Sequence, residues 1–85
     1  MKAVPKEAAE YAAKFGVALR VEQYGIYGEE WDYVASPAKP TWYSSAGEFR
    51  TPVGTDPKGA VRTMAERMGT GRWSPSRLNY FEAVN

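Results

Sequence analysis

The sequence predicts a small α+β domain with the element order α-β-β-β-α, and three features lead to this prediction. Two segments, 5–15 and 56–69, repeat apolar residues with the period of an α-helix. The stretch between them alternates apolar and polar residues with the period of a strand, and glycines and prolines interrupt it. Eighty-five residues suffice for a single domain. We therefore expect residues 1–85 to form an antiparallel sheet with both helices packed on one face.

The first predicted helix covers residues 5–15. Pro5 suits the first helical turn, where its missing N–H would be unpaired anyway. Gly16 stands where a left-handed C-cap is needed. The apolar stripe of this helix consists of Ala8, Tyr11, Ala12 and Phe15.

Three strands are predicted between the helices. Residues 17–24 and 30–35 alternate apolar and polar side chains, and the glycines of residues 25–30 predict a hairpin connection between them. Neither proline of residues 36–40 can donate to a strand ladder, so we expect the second strand to end there. The third strand is predicted from residues 41–45 and 48–52, which flank Ala46-Gly47 as a strand or tight hairpin.

The second predicted helix has the clearest boundaries in the chain. Asp56 is a typical N-cap, Pro57 occupies the first helical position, and Gly69 closes the helix. The apolar stripe consists of Val61, Met64, Ala65 and Met68. Beyond the helix, residues 77–84 predict an additional C-terminal strand, with a short helix from Ser74 as the alternative.

The composition excludes several kinds of site. The chain has no Cys and no His, so it holds neither a thiolate metal site nor a Ser–His or Cys–His nucleophilic pair. The carboxylates of Glu29, Glu30 and Asp32 match no calcium-loop spacing. We predict no enzymatic activity, no catalytic residues, no metal and no other cofactor. Because no apolar segment approaches the ~20 residues of a membrane span, and none resembles a secretory signal, we expect a cytoplasmic protein without membrane contact.

Aromatic residues concentrate in the middle of the chain, where seven of the twelve lie between Tyr24 and Phe49. Large aliphatic residues are scarce, so aromatic side chains are expected to fill the core between the sheet and the helices. We assign to the core Trp31, Tyr33, Trp42 and Phe49. Adjacent strand residues face opposite sides, so Trp42 and Tyr43 cannot both be buried on one face, and which is exposed stays open. Tyr24 and Tyr27 flank a glycine turn and should be partly exposed.

Charge is polarised along the chain although the net charge is only +1. Residues 21–35 hold four carboxylates and no basic residue, which is a local charge of −4. Residues 50–77 hold six basic and two acidic residues, which is a local charge of +4. A solvated face is the more frequent explanation for any single charge, but exposed aromatics are enriched at binding sites. The predicted partner-binding face consists of Glu22, Tyr24, Tyr27, Glu29, Glu30, Asp32 and Tyr43.

A nucleic-acid-binding surface is the alternative site, and it consists of Lys58, Arg62, Arg72, Trp73 and Arg77. The element order over residues 5–68 resembles that of double-stranded-RNA-binding domains, which grip phosphates with a basic cluster at the start of the second helix. This helix offers only Lys58 and Arg62 there and lacks the family's Lys-rich motif. The group around Trp73 suits a single strand, whereas packing of Trp73 on the second helix is the competing interpretation.

The short chain, the absence of Cys and His, the aromatic hairpin region and the capped Ala-rich helix DPKGAVRTMAERMG together resemble the small phage-encoded anti-CRISPR proteins. This resemblance is one of type and size over the whole chain. It implies a non-enzymatic inhibitor that evades host defence in the host cytoplasm by blocking target DNA binding to a CRISPR effector complex. The acidic aromatic face would then dock on a Lys/Arg-lined channel. The sequence leaves open whether two copies form a homodimer.

Overall fold

The computed structural model describes residues 3–39, 44–77 and 79–84, and its element order confirms the α+β prediction. The elements are α1 (Lys6–Lys14), β1 (Val17–Tyr24), β2 (Glu30–Pro37), a 3₁₀ turn (Ser44–Ala46), β3 (Phe49–Pro52), α2 (Pro57–Met68), β4 (Gly71–Trp73) and β5 (Phe81–Ala83). Strands β1, β2 and β3 form an antiparallel sheet in that order. Strands β4 and β5 form a second, two-stranded antiparallel sheet.

The first helix follows its predicted stripe and boundaries. Pro5 immediately precedes α1, and Gly16 follows its last turn with a φ of 68°, in the left-handed region that glycine adopts readily. The side chains of the stripe face the interior, where Ala8, Ala12 and Phe15 are buried and Tyr11 is half-buried.

The second helix is capped at both ends. The Asp56 carboxylate accepts a hydrogen bond from the Lys58 backbone N–H at 3.0 Å, a contact worth about 1 kcal/mol at such positions. At the other end Gly69 has a φ of 76°. The Thr70 N–H donates to the Ala65 carbonyl at 2.9 Å, which closes the helix with a Schellman motif. Both boundary predictions for this helix are confirmed.

The core lies between the two helices and one face of the three-stranded sheet. Val61 and Met64 of α2 are fully buried, and the sheet contributes Val17 and Ala35 to the same cluster. Among the aromatics assigned to the core, Tyr33 is buried, Phe49 packs against the cluster, Trp31 is half-buried, and Trp42 lies outside the described residues. The alanines of both helices let them lie close to the sheet.

Alternate residues of β2 hydrogen-bond to opposite neighbours. The Gly16 carbonyl accepts from the Ala38 N–H at 2.9 Å. The even-numbered residues of β1 and β2 therefore form the hydrogen-bonded pairs, with their backbone N–H and C=O groups directed at one another. The Trp31 carbonyl accepts from the Val53 N–H at 3.2 Å. The odd-numbered residues of β2 therefore direct their backbone N–H and C=O groups at β3.

This pattern explains why two prolines fit into the sheet. The prediction that β2 ends before Ser36 was wrong, because the strand continues through Pro37. The nitrogen of Pro37 faces the β3 side, where the register of β3 has already stopped at Ala35. Pro52 likewise turns its nitrogen away from β2, so neither proline removes a ladder bond.

The second half of the predicted third strand is confirmed, whereas residues 41–43 of its first half lie outside the described residues. β3 covers Phe49–Pro52, but Ser44–Ala46 form a 3₁₀ turn instead of a strand. Short Ser-rich segments before glycine favour local hydrogen bonding over a ladder. Trp42 and Tyr43 lie outside the described residues.

The additional C-terminal strand exists as β5, but it pairs with β4 and not with the main sheet. Strand β4 was missed because three residues are too few to show alternation. The alternative of a helix from Ser74 was wrong. The Phe81 ring packs against Phe15 and Trp73 with centroid distances of 5.2 and 5.3 Å, so the small sheet closes one end of the core.

Replacement of Gly71 by Ala is expected to destabilise the fold. An added Cβ would lie 2.5 Å from the Phe81 ring and 2.9 Å from the Ala65 methyl, so the small sheet must shift. Overpacking of this kind costs about 1–3 kcal/mol. Gly54→Ala is the matched control, because a Cβ there meets nothing within 4 Å. Urea unfolding midpoints compare the two, and equal midpoints would contradict the assigned packing.

Candidate functional site

The end of the β1–β2 hairpin extends beyond β3. The register of β3 stops at Asp32, and Val53, the next residue along, still hydrogen-bonds to Trp31. Among the described residues, the pair Tyr24–Glu30 and the loop 25–29 therefore have no third strand beside them. The molecule is elongated, with a longest dimension of 46 Å. Its radius of gyration of 13.2 Å exceeds the roughly 12 Å expected for a compact chain of this length. We call the following residues the acidic tip: Tyr24, Ile26, Tyr27, Glu29, Glu30 and Asp32.

The acidic tip presents large apolar side chains to solvent. Ile26 is 92% exposed and Tyr27 is 87% exposed, whereas Tyr24 is 45% exposed. Sequence analysis predicted the exposure of both tyrosines but did not include Ile26. The signal for Ile26 was present, because an aliphatic residue between two glycines of a short hairpin connection has no route into the core.

The hairpin loop holds these side chains in a defined turn. Gly25 and Gly28 have positive φ angles of 96° and 67°, and the Gly28 N–H donates to the Gly25 carbonyl at 3.2 Å. The Gln23 side-chain amide lies over Gly28, where an added Cβ would approach it to 2.6 Å. The loop is therefore shaped by glycines and positions Ile26 and Tyr27 at its outer end.

Carboxylates surround Tyr24 on one face of the sheet. Glu30 is its direct register partner, and Asp32 lies on the same face two residues further along β2. The negative charges of Asp32 and then Glu30 raise the pKa of the Tyr24 hydroxyl, and a hydrogen bond to Glu30 adds to this. The raised pKa is the local mark of a negative potential at this end of the molecule.

Glu22 belongs to the predicted face but is engaged in a closed ring of charges. Its carboxylate contacts Arg20 and Arg50 at 2.9 Å each, and Glu48 contacts the same two arginines at 3.0 and 3.8 Å. Val34 of β2 is the register partner of Arg20 on one side and of Arg50 on the other, and it is fully buried. The arginines lower the pKa of Glu22, with Arg50 the larger cause. The charge ring thus pairs Glu22 with arginines, although Glu22 lies directly opposite Asp32 of the acidic tip.

The predicted face is therefore assembled in part. Glu22, Tyr24, Glu30 and Asp32 share one face of the sheet, while Tyr27 and Glu29 lie in the hairpin loop. Tyr43 lies outside the described residues. Arg50 belongs to the basic block of the sequence, but in the structure it pairs with Glu22 of the acidic block.

Most residues of the alternative basic site have partners within the chain. Lys58 pairs with Glu7 at 3.3 Å, and Arg72 pairs with Glu82 at 3.4 Å. Arg77 stacks over the Tyr80 ring at 4.5 Å. The two ion pairs reduce the positive charge that is available to a phosphate backbone.

The structure brings two residues of the alternative site together. The Arg62 guanidinium lies 5.7 Å from the centroid of the Trp73 ring and 3.4 Å from the Asp56 carboxylate. Trp73 also packs edge-on against Phe81. The competing interpretation, in which Trp73 packs on the second helix, is consistent with these contacts, although 45% of the residue stays exposed. Arg72 precedes Trp73 on β4, so the two face opposite sides.

Comparison with known proteins identifies no relative, because no protein-family model, curated protein or solved structure matches the chain. Within the described ranges no helix has the length and apolar character needed to cross a bilayer. In the same ranges no three acidic side chains converge as metal ligands would.

Replacement of Asp32 by Asn is expected to lower the pKa of Tyr24 towards its ordinary value of 10.0, because Asp32 is the largest cause of the shift. Titration of the Tyr24 ring signals by NMR measures this directly. Glu29→Gln is the control, since Glu29 is not among the groups that shift Tyr24. An unchanged Tyr24 titration in Asp32→Asn would contradict the assigned face.

The charge ring is expected to make stability depend on acid pH. Because the pKa of Glu22 is lowered in the folded state, its ionised carboxylate stabilises the fold at pH values above its ordinary pKa of 4.5. This stabilisation is lost as the pH falls through the lowered pKa. Carbon NMR of the Glu22 carboxyl measures that pKa, and Arg50→Gln should raise it.

Unfolding measurements give a second test of the charge ring. Glu22→Gln should lose less stability than wild type between about pH 5 and pH 2. Glu10→Gln changes an exposed glutamate of α1 and is the control. Identical acid dependence in wild type and Glu22→Gln would show that the ring does not form in solution.

Proposed function

We propose that the protein is a non-enzymatic binding protein whose acidic tip docks on a positively charged surface of a partner protein or ribonucleoprotein. One observation carries the proposal: a protruding hairpin combines exposed Ile26 and Tyr27 with carboxylates that have no basic residue within residues 21–35. Exposed apolar groups rimmed by charge are the usual composition of an interaction site.

The tip has the physical properties that such docking requires. Full burial of Ile26 or Tyr27 by a partner would contribute about 1.5–3 kcal/mol each. The carboxylates steer the encounter with a basic surface and set its orientation. Because the glycine turn already defines the backbone at Ile26 and Tyr27, binding has to order only their side chains.

The resemblance to anti-CRISPR proteins directs the proposal to one class of partner. We propose a bacterial CRISPR effector complex, whose Lys/Arg-lined channel receives target DNA. Carboxylates of the acidic tip would occupy positions otherwise taken by DNA phosphates, while Ile26 and Tyr27 would hold the tip in place. The protein would then block DNA binding stoichiometrically in the cytoplasm of a phage-infected host.

Direct binding of nucleic acid has less support. The acidic tip repels phosphates, and Lys58, Arg62 and Arg72 each form an ion pair within the chain. The pair of Arg62 and Trp73 is the feature that favours a single-stranded ligand.

The double variant Ile26→Ser, Tyr27→Ser is expected to abolish inhibition while the fold is retained, since neither side chain contributes to the core. The charge variant Glu29→Lys, Glu30→Lys should weaken inhibition through repulsion from the basic channel. The assay measures binding of labelled target DNA to purified CRISPR effector complexes, with the protein added before the DNA. Circular dichroism and unfolding midpoints confirm folding.

Two controls distinguish the outcomes. Tyr80→Ser removes another exposed aromatic side chain, which immediately precedes β5, and should leave inhibition unchanged. Arg62→Ala with Trp73→Ala tests the alternative site by its effect on binding of a labelled single strand at low and moderate salt. Loss of effect in this variant, with full activity of the tip variants, would reject the proposal and favour nucleic-acid binding.

A further inference from the structure

Strand β1 is an edge strand of unusual length for this small sheet. It contains eight residues, whereas the opposite edge, β3, contains four. The β3 edge is blunted by Pro52, whose nitrogen points outwards. β1 contains no proline, and among the described residues it pairs with β2 alone. Long edges of this kind are templates for pairing with another strand.

The unpaired groups of β1 belong to its odd-numbered residues. The even-numbered residues of β1 direct their backbone groups at β2, so the N–H and C=O groups of Leu19, Val21 and Gln23 point outwards from the sheet edge. Within the described part of the chain, no hydrogen bond is made to these outward groups. The edge is therefore open for a further antiparallel strand.

The side chains of β1 are complementary to those of a second, antiparallel copy of the same strand. When Val21 lies opposite Val21 of the second copy, Arg20 lies opposite Glu22 of that copy, and Glu22 lies opposite its Arg20. Leu19 then lies opposite Gln23. The residues with outward backbone groups form the hydrogen-bonded pairs, and the two charge pairs fall at the closer, non-hydrogen-bonded positions.

Neighbouring registers are disfavoured by charge. A shift that centres the pairing on residue 20 places Arg20 opposite Arg20, and a shift that centres it on residue 22 places Glu22 opposite Glu22. Like charges directly opposite one another are destabilising in a sheet. A shift by a single position would place the helix-covered face of one copy on the opposite side from that of the other. The side chains thus select the register centred on Val21.

The helices leave room for this arrangement. α1 runs back from Gly16 over the start of β1, where Phe15 and Val17 share the core cluster. Its nine residues span about 13 Å, which corresponds to roughly four strand residues, so α1 covers β1 only up to about Val21. With the two-fold axis at Val21, each α1 lies beside the hairpin half of the partner strand, which carries no helix of its own.

We infer that two copies of this chain associate through β1 in the register centred on Val21 and form a continuous six-stranded antiparallel sheet. The association places the two acidic tips at opposite ends of the shared sheet. It does not depend on the proposed function, because it uses the backbone edge of β1, whereas Ile26 and Tyr27, on which the proposed docking depends, lie in the hairpin loop.

The matched variants Val21→Pro and Val21→Ala test the inference. Proline removes the outward N–H of Val21 without removing a bond to β2, because only even-numbered residues face β2. Alanine trims the same side chain but keeps the N–H. Sedimentation equilibrium should show dimers for wild type and Val21→Ala, and a dissociation constant at least about tenfold higher for Val21→Pro. Monomeric wild type, or equal dimerisation of both variants, would overturn the inference.

A cysteine variant tests the register independently of proline effects. The chain contains no cysteine, so Val21→Cys introduces a single thiol. In the inferred register the two Cα atoms at position 21 lie about 5.5 Å apart, within disulfide range. In Gln23→Cys the two positions are displaced by four residues, about 13 Å, and cannot be bridged. Mild oxidation should link Val21→Cys alone, and linkage of Gln23→Cys at the same rate would reject this register.

Discussion

The central strand β2 must hydrogen-bond on both sides, and the arrangement of the sheet follows from that requirement. The backbone N–H and C=O groups of its even-numbered residues are directed at β1, and those of its odd-numbered residues at β3. A proline in these strands must therefore lie where its missing N–H would not have donated to a neighbouring strand. Pro37 and Pro52 meet this condition. The same alternation directs Ala35 towards the helices and Val34 towards the charge ring. One strand thus separates an apolar interior from a charged outer face.

The unequal lengths of the two edge strands determine which surfaces are free to interact. Because β3 is half as long as β1, the end of the hairpin projects without support, and this projection carries the acidic tip. Because β3 ends in proline and β1 does not, the open edge is on the β1 side. The proposed binding site and the inferred dimer contact therefore have a common cause, although the first centres on the hairpin loop and the second on the edge of β1.

Charge is organised locally in this nearly neutral chain. Arg20 and Arg50 bind Glu22 and Glu48 in a ring over buried Val34. Each exposed ion pair adds little stability, but the aliphatic parts of the arginine side chains cover the apolar side chain of Val34. Carboxylates of the tip have no such partners within residues 21–35. The tip consequently keeps its negative potential, and Tyr24 registers it as a raised pKa.

The sequence by itself determined both helices with their caps, the alternation of β1 and β2, and the exposure of the hairpin loop, because periodicity and capping act over a few neighbouring residues. It did not reveal β4, the pairing of β5 outside the main sheet, or the crossing of Arg50 to Glu22. These features depend on residues far apart in the chain, and their patterns are too short to be recognised locally. The tertiary structure alone decided that Glu22 is paired with two arginines, because only the register of neighbouring strands brings charges from distant parts of the chain together.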